Sequence, residues 1–492
     1  MQSTDSLHLR RSMYALLITV AVAIVVGHIV AVNRLYEPNL YRDEGDPNDL
    51  RSPWPRTRPQ PMPTHGDNDR SRWDTVRALV DDGTYVIGHR DVDSATGQYV
   101  DRGIITEDGW KTIDKVLRPD TQDFYSSKPP LLPTLVAGEY WLLKQLFGWS
   151  ITTDRYPVVR SILVTVNGVL FLVYLIFLAR LVEQFGSSDW GRVLVLAAGG
   201  FATFVTTFAN TLNNHTVAAC CVLFALYPAL QIWYRGEYRA SLFLTAGFFA
   251  GFTAVNELPA ASFAVGLLLL LLLRAPGRTL LLAVPAALVP VAAALWTNYL
   301  ALGQLRPAYG EFGGPWYEYA GSYWKIDPTN LKHGIDWAYR SESRAVYAFH
   351  VLVGHHGIFS LSPIFLLSVA GMLYGLVKWR RNGEQPPPLN MVALLSLGVS
   401  LLVVGFYIGV VNDRNRNYGG WTSGLRWLIW LTPLWLVAMM PVADWLSYRR
   451  WGRGLAYLLL GISIFSATYP ALNPWRHPWL YDLLQAHGWI QY

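Results

Sequence analysis

The chain is dominated by long apolar runs that are separated by short polar connections. A helix needs about 20 apolar residues to cross the hydrocarbon core of a bilayer. The pattern therefore predicts an all-α, polytopic membrane protein with about eleven transmembrane helices. We expect these helices at roughly 13–32, 158–180, 191–209, 215–234, 241–256, 259–273, 279–300, 358–378, 389–411, 425–446 and 455–470.

Composition agrees with a membrane protein and argues against other classes. Hydrophobic residues make up 52% of the chain and charged residues 15%, whereas about a quarter of a soluble domain is charged. The net charge of +6 comes largely from arginines in short loops, and there is no basic patch of the kind that binds nucleic acid. Cys220 and Cys221 are adjacent within an apolar run, so we expect neither a disulfide framework nor a metal site from them.

The distribution of charges predicts how the chain is oriented in the membrane. Arg10 and Arg11 precede the first apolar run, which we interpret as a transmembrane helix with its basic end in the cytoplasm. The run 130–147 contains Glu139 and Lys144. If this run crossed the bilayer, the later arginine-bearing short loops would all fall outside. The positive-inside rule therefore predicts that the run lies along the outer surface as a juxtamembrane helix.

This orientation places the polar mass of the chain outside the cytoplasm. The N-terminus is expected inside and the C-terminus outside, in a single membrane domain of residues 1–492. The first extracytoplasmic loop covers 33–157 and a second large segment covers 301–357. In the first loop, residues 69–81 have the period of an amphipathic helix lying on the membrane surface. Its apolar face would consist of Trp73, Val76, Leu79 and Val80.

Several polar residues on the predicted outer side are candidates for chemistry. Asp67 and Asp69 stand at the start of the predicted helix, where a carboxylate is either an N-cap or a general base that takes a proton from an acceptor hydroxyl. Lys128 precedes two prolines and is either an interface anchor or a point charge for a phosphate. Glu257 lies in a tight turn between two spans and is either a functional acid or a hairpin cap.

Three arginines stand on the outer side, against the positive-inside trend. Arg426 ends a glycine-rich run that begins at Tyr418, and Arg414 and Arg416 precede that run. Cations misplaced in this way indicate anion binding, although solvated loop charges are the alternative for Arg414 and Arg416.

Histidines and aromatic residues mark the second outer segment. His350, His355 and His356 suggest a zinc site, but no nearby Cys or Glu completes a recognised ligand spacing, so no metal is predicted. The tryptophans and tyrosines of 301–357 are typical of a glycan-binding groove or of a belt at the lipid headgroups.

The order of these signals resembles that of a known family. Asp69 precedes the predicted helix, Gly83-Thr84-Tyr85-Val86 follows it, and Tyr125-Ser126-Ser127-Lys128-Pro129-Pro130-Leu131 opens the juxtamembrane run. This order resembles the first outer loop of the aminoarabinose lipid A transferase and protein O-mannosyltransferase superfamily. Its members are integral-membrane glycosyltransferases with a GT-C fold. A long insert between Gly88 and Lys115 interrupts the likeness.

The resemblance implies roles for individual residues. Asp69 is implied as the catalytic base, with Asp67 as its fallback. Lys128 and Tyr125 are implied as ligands of the donor phosphate, whose negative charge grows as the glycosidic bond breaks. Arg426 is implied as a further phosphate ligand, because it ends an element that resembles the glycine-rich, arginine-ending element of many GT-C proteins.

One position departs from the family pattern. Relatives carry an aspartate at the end of an Asn-Thr-Leu-Asp sequence, and this chain has Asn213 there. An asparagine can hydrogen-bond a sugar but cannot act as a base. Asn213, His215 and Glu257 are therefore predicted to contact substrate. Because the second carboxylate is missing, a metal held by two acids is not expected, and neither is any other cofactor.

Together, these residues and the resemblance predict an inverting glycosyltransferase with a general-base mechanism. It would move a hexosyl or pentosyl unit from a polyprenyl-phosphate donor to a hydroxyl of a lipid, protein or glycan, on the extracytoplasmic face of a bacterial inner membrane. One alternative is a transporter or flippase of a lipid-linked glycan, which should have polar groups at mid-membrane and broken helices. The other is a non-catalytic, glycan-binding member of the fold.

Overall fold

The structure is a computed structural model that describes residues 4–33, 41–42, 52–53, 60–325, 333–382, 389–411 and 416–492. Most of these residues lie in helices, and a helix occupies each place at which an apolar run predicts one. The main helices are α1 (Thr4–Ala31), α2 (Asp67–Arg77), α3 (Leu131–Phe147), α4 (Arg155–Phe185), α5 (Asp189–Phe201), α6 (Asn214–Arg235), α7 (Ala240–Asn256), α8 (Leu258–Arg274), α9 (Pro276–Leu302), α10 (Arg344–Leu352), α11 (Leu366–Asn382), α12 (Asn390–Val410), α13 (Arg426–Ala438), α14 (Met440–Ser447), α15 (Arg450–Thr468) and α16 (Trp479–Ala486).

The chain is an integral, multi-pass membrane protein. Among the described residues, six helices are long and apolar enough to cross a bilayer, and α13 with α14, which are bent by 45° at their junction, make a possible seventh span. The predicted number of about eleven is not confirmed, because α7, α8 and the apolar part of α11 are shorter than a full span. The six are Leu7–Ala31, Arg155–Phe185, Asp189–Asn210, Asn214–Arg235, Pro276–Leu302 and Asn390–Val410.

A four-stranded antiparallel sheet in the first loop corrects the all-α prediction. Its strands are ordered β4-β3-β6-β5. The hairpin between β3 and β4 turns at Asp93, whose side chain accepts hydrogen bonds from the next backbone amides. The sequence hides this sheet because charged residues interrupt the alternation of its strands. The strands are β3 (Gly88–Val92), β4 (Tyr99–Arg102), β5 (Lys115–Leu117) and β6 (Asp123–Ser126), and a separate two-residue pair joins β1 (Tyr41–Arg42) to β2 (Ser52–Pro53).

Helix α2 is present where the sequence predicts it, but its surroundings differ from the prediction. The predicted apolar residues Trp73 and Val76 are fully buried, and so are the polar residues Arg72 and Asp74. Burial raises the pKa of Asp74 well above its ordinary value. An amphipathic surface helix would leave one face in water, so the prediction of a surface helix is wrong for this segment.

Helix α3 keeps an exposed apolar face, as an interfacial helix should. Its other face is fastened to the end of α2, because Tyr140 and Lys144 both contact Oδ1 of Asp81, at 3.0 and 2.7 Å. Its place along the membrane surface stays a prediction. The exposed apolar side chains are Leu135, Trp141, Leu142 and Leu146.

Helices α7 and α9 pack with their backbones unusually close. A Cβ added to Gly247 would lie 2.0 Å from the carbonyl oxygen of Ala283, and one added to Gly251 would lie 2.2 Å from that of Ala287. The two glycines are four residues apart and so share one helix face, which is the arrangement that lets membrane helices approach closely.

Replacing these glycines should separate the two helices. We expect Gly247→Ala and Gly251→Ala each to lower the free energy of unfolding in detergent by about 1–3 kcal/mol, the usual cost of overpacking. Gly398→Ala in α12 is the matched control, because a Cβ there meets none of the described atoms within 4 Å. We expect the free energy of unfolding of this control variant to be unchanged or slightly higher, since alanine favours helix. Equal stability of all three variants would contradict the close approach.

Candidate functional site

A group of polar side chains lies where the first loop meets the N-termini of α6 and α13 and the turn between α7 and α8. Asp336, in the short 3₁₀ helix Ile335–Arg340, joins it from the second outer segment. We call this group the polar cluster. It consists of Arg72, Asp114, Lys128, Asn214, His215, Glu257, Asp336 and Arg426.

Arg72 connects α2 to the start of α6. Its Nη1 donates to the backbone oxygen and to Oδ1 of Asn68, at 2.7 and 2.5 Å, and its Nη2 donates to Oδ1 of Asn214. Burial and the nearby charge of Arg426 lower the pKa of Arg72 to about 10. The sequence did not mark Arg72 as a site residue, because it falls outside the predicted apolar face of the helix.

Arg426 is held by a relay that starts at a carboxylate. Its Nη1 lies 2.9 Å from Nε2 of His215. A guanidinium only donates hydrogen bonds, so this imidazole nitrogen must accept, and His215 is neutral with its proton on Nδ1. Nδ1 of His215 lies in close contact with Oε1 of Glu257. The same oxygen accepts from Nδ2 of Asn214 at 2.6 Å.

The glycine-rich loop before α13 contacts Arg426 on the side away from His215. Nε of Arg426 donates to the carbonyl oxygen of Gly419 at 3.0 Å, and its guanidinium lies 5.0 Å from the ring centre of Trp475. Gly419 and Gly420 have φ angles of +90° and +79°, which favour glycine. A Cβ on Gly420 would also lie 3.0 Å from Oδ1 of Asp336.

Lys128 brings a third cation to the polar cluster. Its Nζ lies 2.9 Å from Oδ2 of Asp114, and only 18% of its side chain is exposed. Burial lowers the pKa of Lys128, and the charges of Arg72 and Arg426 lower it further, while Asp114 opposes the shift. The three cations are therefore close enough to affect one another. We call Arg72, Lys128 and Arg426 the cation triad.

The predicted base Asp69 lies next to this group but is enclosed. Its carboxylate accepts hydrogen bonds from the backbone amides of His65 and Leu212, both at 2.8 Å, and from Nε1 of Trp73 at 3.0 Å. Only 1% of the residue is exposed. Asp69 thus fastens α2 to the segment before α6, and its role as base stays a prediction. Its fallback Asp67 accepts from the amide of Ile113 at 2.7 Å.

Two predicted ligands point away from the polar cluster. Neighbouring side chains of a strand face opposite sides, and in β6 it is Ser126 that lies near α2, with its Oγ 2.6 Å from Oγ of Ser71. Tyr125 instead packs with Val116 and Tyr317 in a separate apolar group, and its role as a phosphate ligand stays a prediction. Arg416 donates to the backbone oxygen of Glu342, away from Arg426.

Asn213 also lies outside the polar cluster, and its role in binding substrate stays a prediction. Arg414 lies outside the described residues. Asn213 is fully buried and is the N-cap of α6. Its Oδ1 accepts from the amide of Thr216 at 2.9 Å, and its Nδ2 donates to the carbonyl oxygen of Phe208 at 2.8 Å. It is the next residue, Asn214, that reaches the polar cluster.

The chain matches no protein-family model and no curated protein. Among solved structures it is similar to the Archaeoglobus fulgidus oligosaccharyltransferase in complex with Zn and sulfate. That similarity has 12% identity and a TM-score of 0.46, and it covers 96% of this chain and 55% of that chain. The archaeal oligosaccharyltransferase AglB from Archaeoglobus fulgidus, in complex with an inhibitory peptide and a dolichol-phosphate, gives 11% identity and a TM-score of 0.44 over 96% of this chain and 57% of that one.

The chain thus spans about half the length of the solved structures that it matches. Both neighbours are oligosaccharyltransferases by name. Because identity and TM-score are this low, we infer function from the side chains of this chain.

The buried carboxyl of Asp69 should make stability depend on pH. Burial raises its pKa from 3.8 to about 6, so between these values the folded protein retains a proton that the unfolded chain releases. The stabilisation is complete below about pH 4 and is lost as the pH rises through about 6. From about pH 4 to pH 7, the free energy of unfolding should fall more in the wild type than in Asp69→Asn, by on the order of 3 kcal/mol. Denaturation in detergent measures this difference, and equal slopes would contradict it.

Proposed function

We propose that the chain is an inverting, GT-C-type glycosyltransferase that moves a sugar from a polyprenyl-phosphate donor to an acceptor hydroxyl on the extracytoplasmic side of a membrane. The observation that carries this proposal is the cation triad, which is buried where the first loop meets the ends of membrane helices. A phosphate leaving group gains negative charge as the glycosidic bond breaks, and fixed cations stabilise that charge in the transition state.

The way in which the cations are held supports an anion as their ligand. Within the described part of the chain, the hydrogen bonds of Arg72 and Arg426 go to neutral acceptors. Only Lys128 contacts a carboxylate directly, that of Asp114. The two guanidiniums therefore keep their charge available for a phosphate, and both offer the planar donor pairs that suit its oxygens. Their burial strengthens this attraction, since little water screens it.

We assign the general base to Asp336 in preference to Asp69 or Asp67. Asp336 is half-buried, whereas Asp69 is enclosed. One of its oxygens accepts from the hydroxyl of Tyr323 at 3.0 Å, and the other faces Gly420. Burial raises the pKa of Asp336, against the effect of Arg426, and a higher pKa makes the carboxylate a better base at neutral pH.

The position of the polar cluster favours a transferase over a transporter. His215 and Arg426 belong to the first turns of α6 and α13, and Glu257 lies in the turn between α7 and α8. A transporter of a charged lipid should carry its polar groups near mid-membrane, at interrupted helices. Groups at helix ends suit a donor whose phosphate lies at the headgroup level and whose lipid tail remains in the bilayer.

The cation triad should bind the phosphate of a polyprenyl lipid. Undecaprenyl phosphate is a suitable probe, and undecaprenol, which lacks the phosphate, is its control. We expect the phosphate but not the alcohol to raise the unfolding temperature of the wild type in detergent. Arg72→Met, Lys128→Met and Arg426→Met should each weaken apparent binding by about 10- to 100-fold, the cost of one charged hydrogen bond.

Lys144→Met is the matched control variant for this experiment. Lys144 is also a lysine of the α3 region with a carboxylate partner, Asp81, but it lies outside the polar cluster. It should bind undecaprenyl phosphate as the wild type does. If all three triad variants also bind like the wild type, the phosphate site and the proposed function are both refuted.

Removing the base should stop turnover without affecting phosphate binding. Membranes from a strain that lacks the protein supply accumulated donor, and mass spectrometry follows its consumption after purified protein is added. We expect Asp336→Asn to lower the rate by at least about 100-fold while its response to undecaprenyl phosphate is unchanged. Asp69→Asn should lower the unfolding temperature, because its amide would face three N–H donors. Full turnover by Asp336→Asn would refute its assignment as the base.

A further inference from the structure

A second group of titratable side chains surrounds Tyr492 and does not belong to the polar cluster. Glu342, His350 and His355 each bring one possible ligand atom to within 4.8 Å of the others. We propose that these three residues bind a divalent transition metal ion, with Zn²⁺ as the best match to a carboxylate and two imidazoles. We call this the His–Glu site. It does not depend on the proposed glycosyltransferase activity.

The hydrogen bonds around His355 prepare it as a ligand. Nε2 of His356 lies 3.0 Å from the carbonyl oxygen of Thr422, which only accepts, so this nitrogen carries a proton. His356 is fully buried, which favours the neutral ring, and a neutral ring that is protonated on Nε2 has a lone pair on Nδ1. Nδ1 of His355, 2.5 Å away, must donate to that lone pair. Nε2 of His355 is then unprotonated, as a metal ligand must be.

The hydrogen bonds around Nε2 of His355 are one positive charge short, which either a proton or a metal ion would supply. Nε2 of His355 lies 2.5 Å from the hydroxyl of Tyr492, and the same hydroxyl contacts Oε1 of Glu342. The second oxygen of Glu342 already accepts from Tyr418 at 2.5 Å. One hydroxyl proton of Tyr492 cannot satisfy both His355 and Glu342. Either Glu342 carries an extra proton, or a metal ion lies between these atoms.

The third donor favours the metal. A proton on Glu342 would account for its contact with Tyr492, but not for the nearness of His350, whose Nδ1 accepts only a long hydrogen bond of 3.4 Å from the backbone amide of His355. The ring of His350 stacks on His355 with centres 4.0 Å apart. Zinc–nitrogen and zinc–oxygen bonds of about 2.0–2.2 Å place neighbouring ligand atoms about 3.3 Å apart, so the ligand atoms need to move inward by about an ångström. The ring of His350, which is stacked on that of His355, must also turn its lone pair toward the ion. The oxygen of Tyr492 is available as the fourth ligand.

The His–Glu site is connected to the loop that holds Arg426. Tyr418 donates to Glu342, and the carbonyl of Thr422 fixes the tautomer of His356, while Gly419 between them accepts from Arg426. A metal at this site would therefore help to order the glycine-rich loop through Tyr418 and Thr422, which flank the residue that contacts Arg426. Its expected role is structural, since its ligands would all come from the protein.

Metal content of the purified full chain tests the proposal. After exchange into metal-free buffer, mass spectrometry of the elements should find about one zinc per chain, and cobalt substitution should give the visible absorption of a tetrahedral site. His350→Ala and His355→Ala should lose the zinc. His89→Ala is the control, because His89 is exposed and pairs with Asp123 elsewhere, and it should retain the zinc.

Glu342→Gln separates a metal from a proton, because glutamine resembles the protonated carboxyl group. If a metal occupies the site, this variant loses zinc and its unfolding temperature falls. If only a proton is shared, the variant is as stable as the wild type. Wild-type protein that contains no zinc, and whose unfolding temperature does not respond to ZnCl₂, would refute the site. This result would leave the undecaprenyl phosphate experiments unaffected, so the two proposals fail independently.

Discussion

A cation that leaves water loses several kcal/mol of hydration, even after the protein has relaxed around it. Arg72, Lys128 and Arg426 all bear this cost within one small region, and their like charges repel as well. The surrounding structure must therefore supply acceptors in fixed positions. Asn68 and Asn214 do so for Arg72, and His215 and Gly419 do so for Arg426. Neutral acceptors satisfy the donors without forming direct ion pairs, so the two guanidinium charges remain available for an anion.

This constraint also explains the position of Asp69. Its three N–H donors come from the residues before α2, from α2 itself and from the segment that leads into α6. Asp69 thereby fixes the distance between α2, which carries Arg72, and Asn214, which accepts from it. A single enclosed carboxylate thus sets the geometry of a neighbouring cation through three hydrogen bonds. The same carboxylate was the residue that the sequence resemblance favoured for catalysis.

Sequence motifs were enough to identify several residues of the site, but they did not show how the side chains are oriented. Lys128, His215, Glu257 and Arg426 were all predicted and all reach the polar cluster. At Asn213 the side chain caps helix α6, and it is the next residue, Asn214, that contacts Arg72 and Glu257. Arg72 was missed because its place in the site depends on Asn214, which is far away in the sequence and so gives no local signal. Apolar runs, in contrast, placed the helices correctly, since their signal is local.

The glycine-rich loop before α13 shows how two sites can share one short segment. Gly419 and Gly420 adopt left-handed backbone angles, and these turn one carbonyl toward Arg426. The neighbouring Tyr418 and Thr422 contact the group around Glu342 and His356. A loop with two glycines loses more conformational entropy on ordering than other sequences do. Contacts on both of its sides compensate for this loss, so any ion that tightens the His–Glu site also reduces the freedom of Arg426.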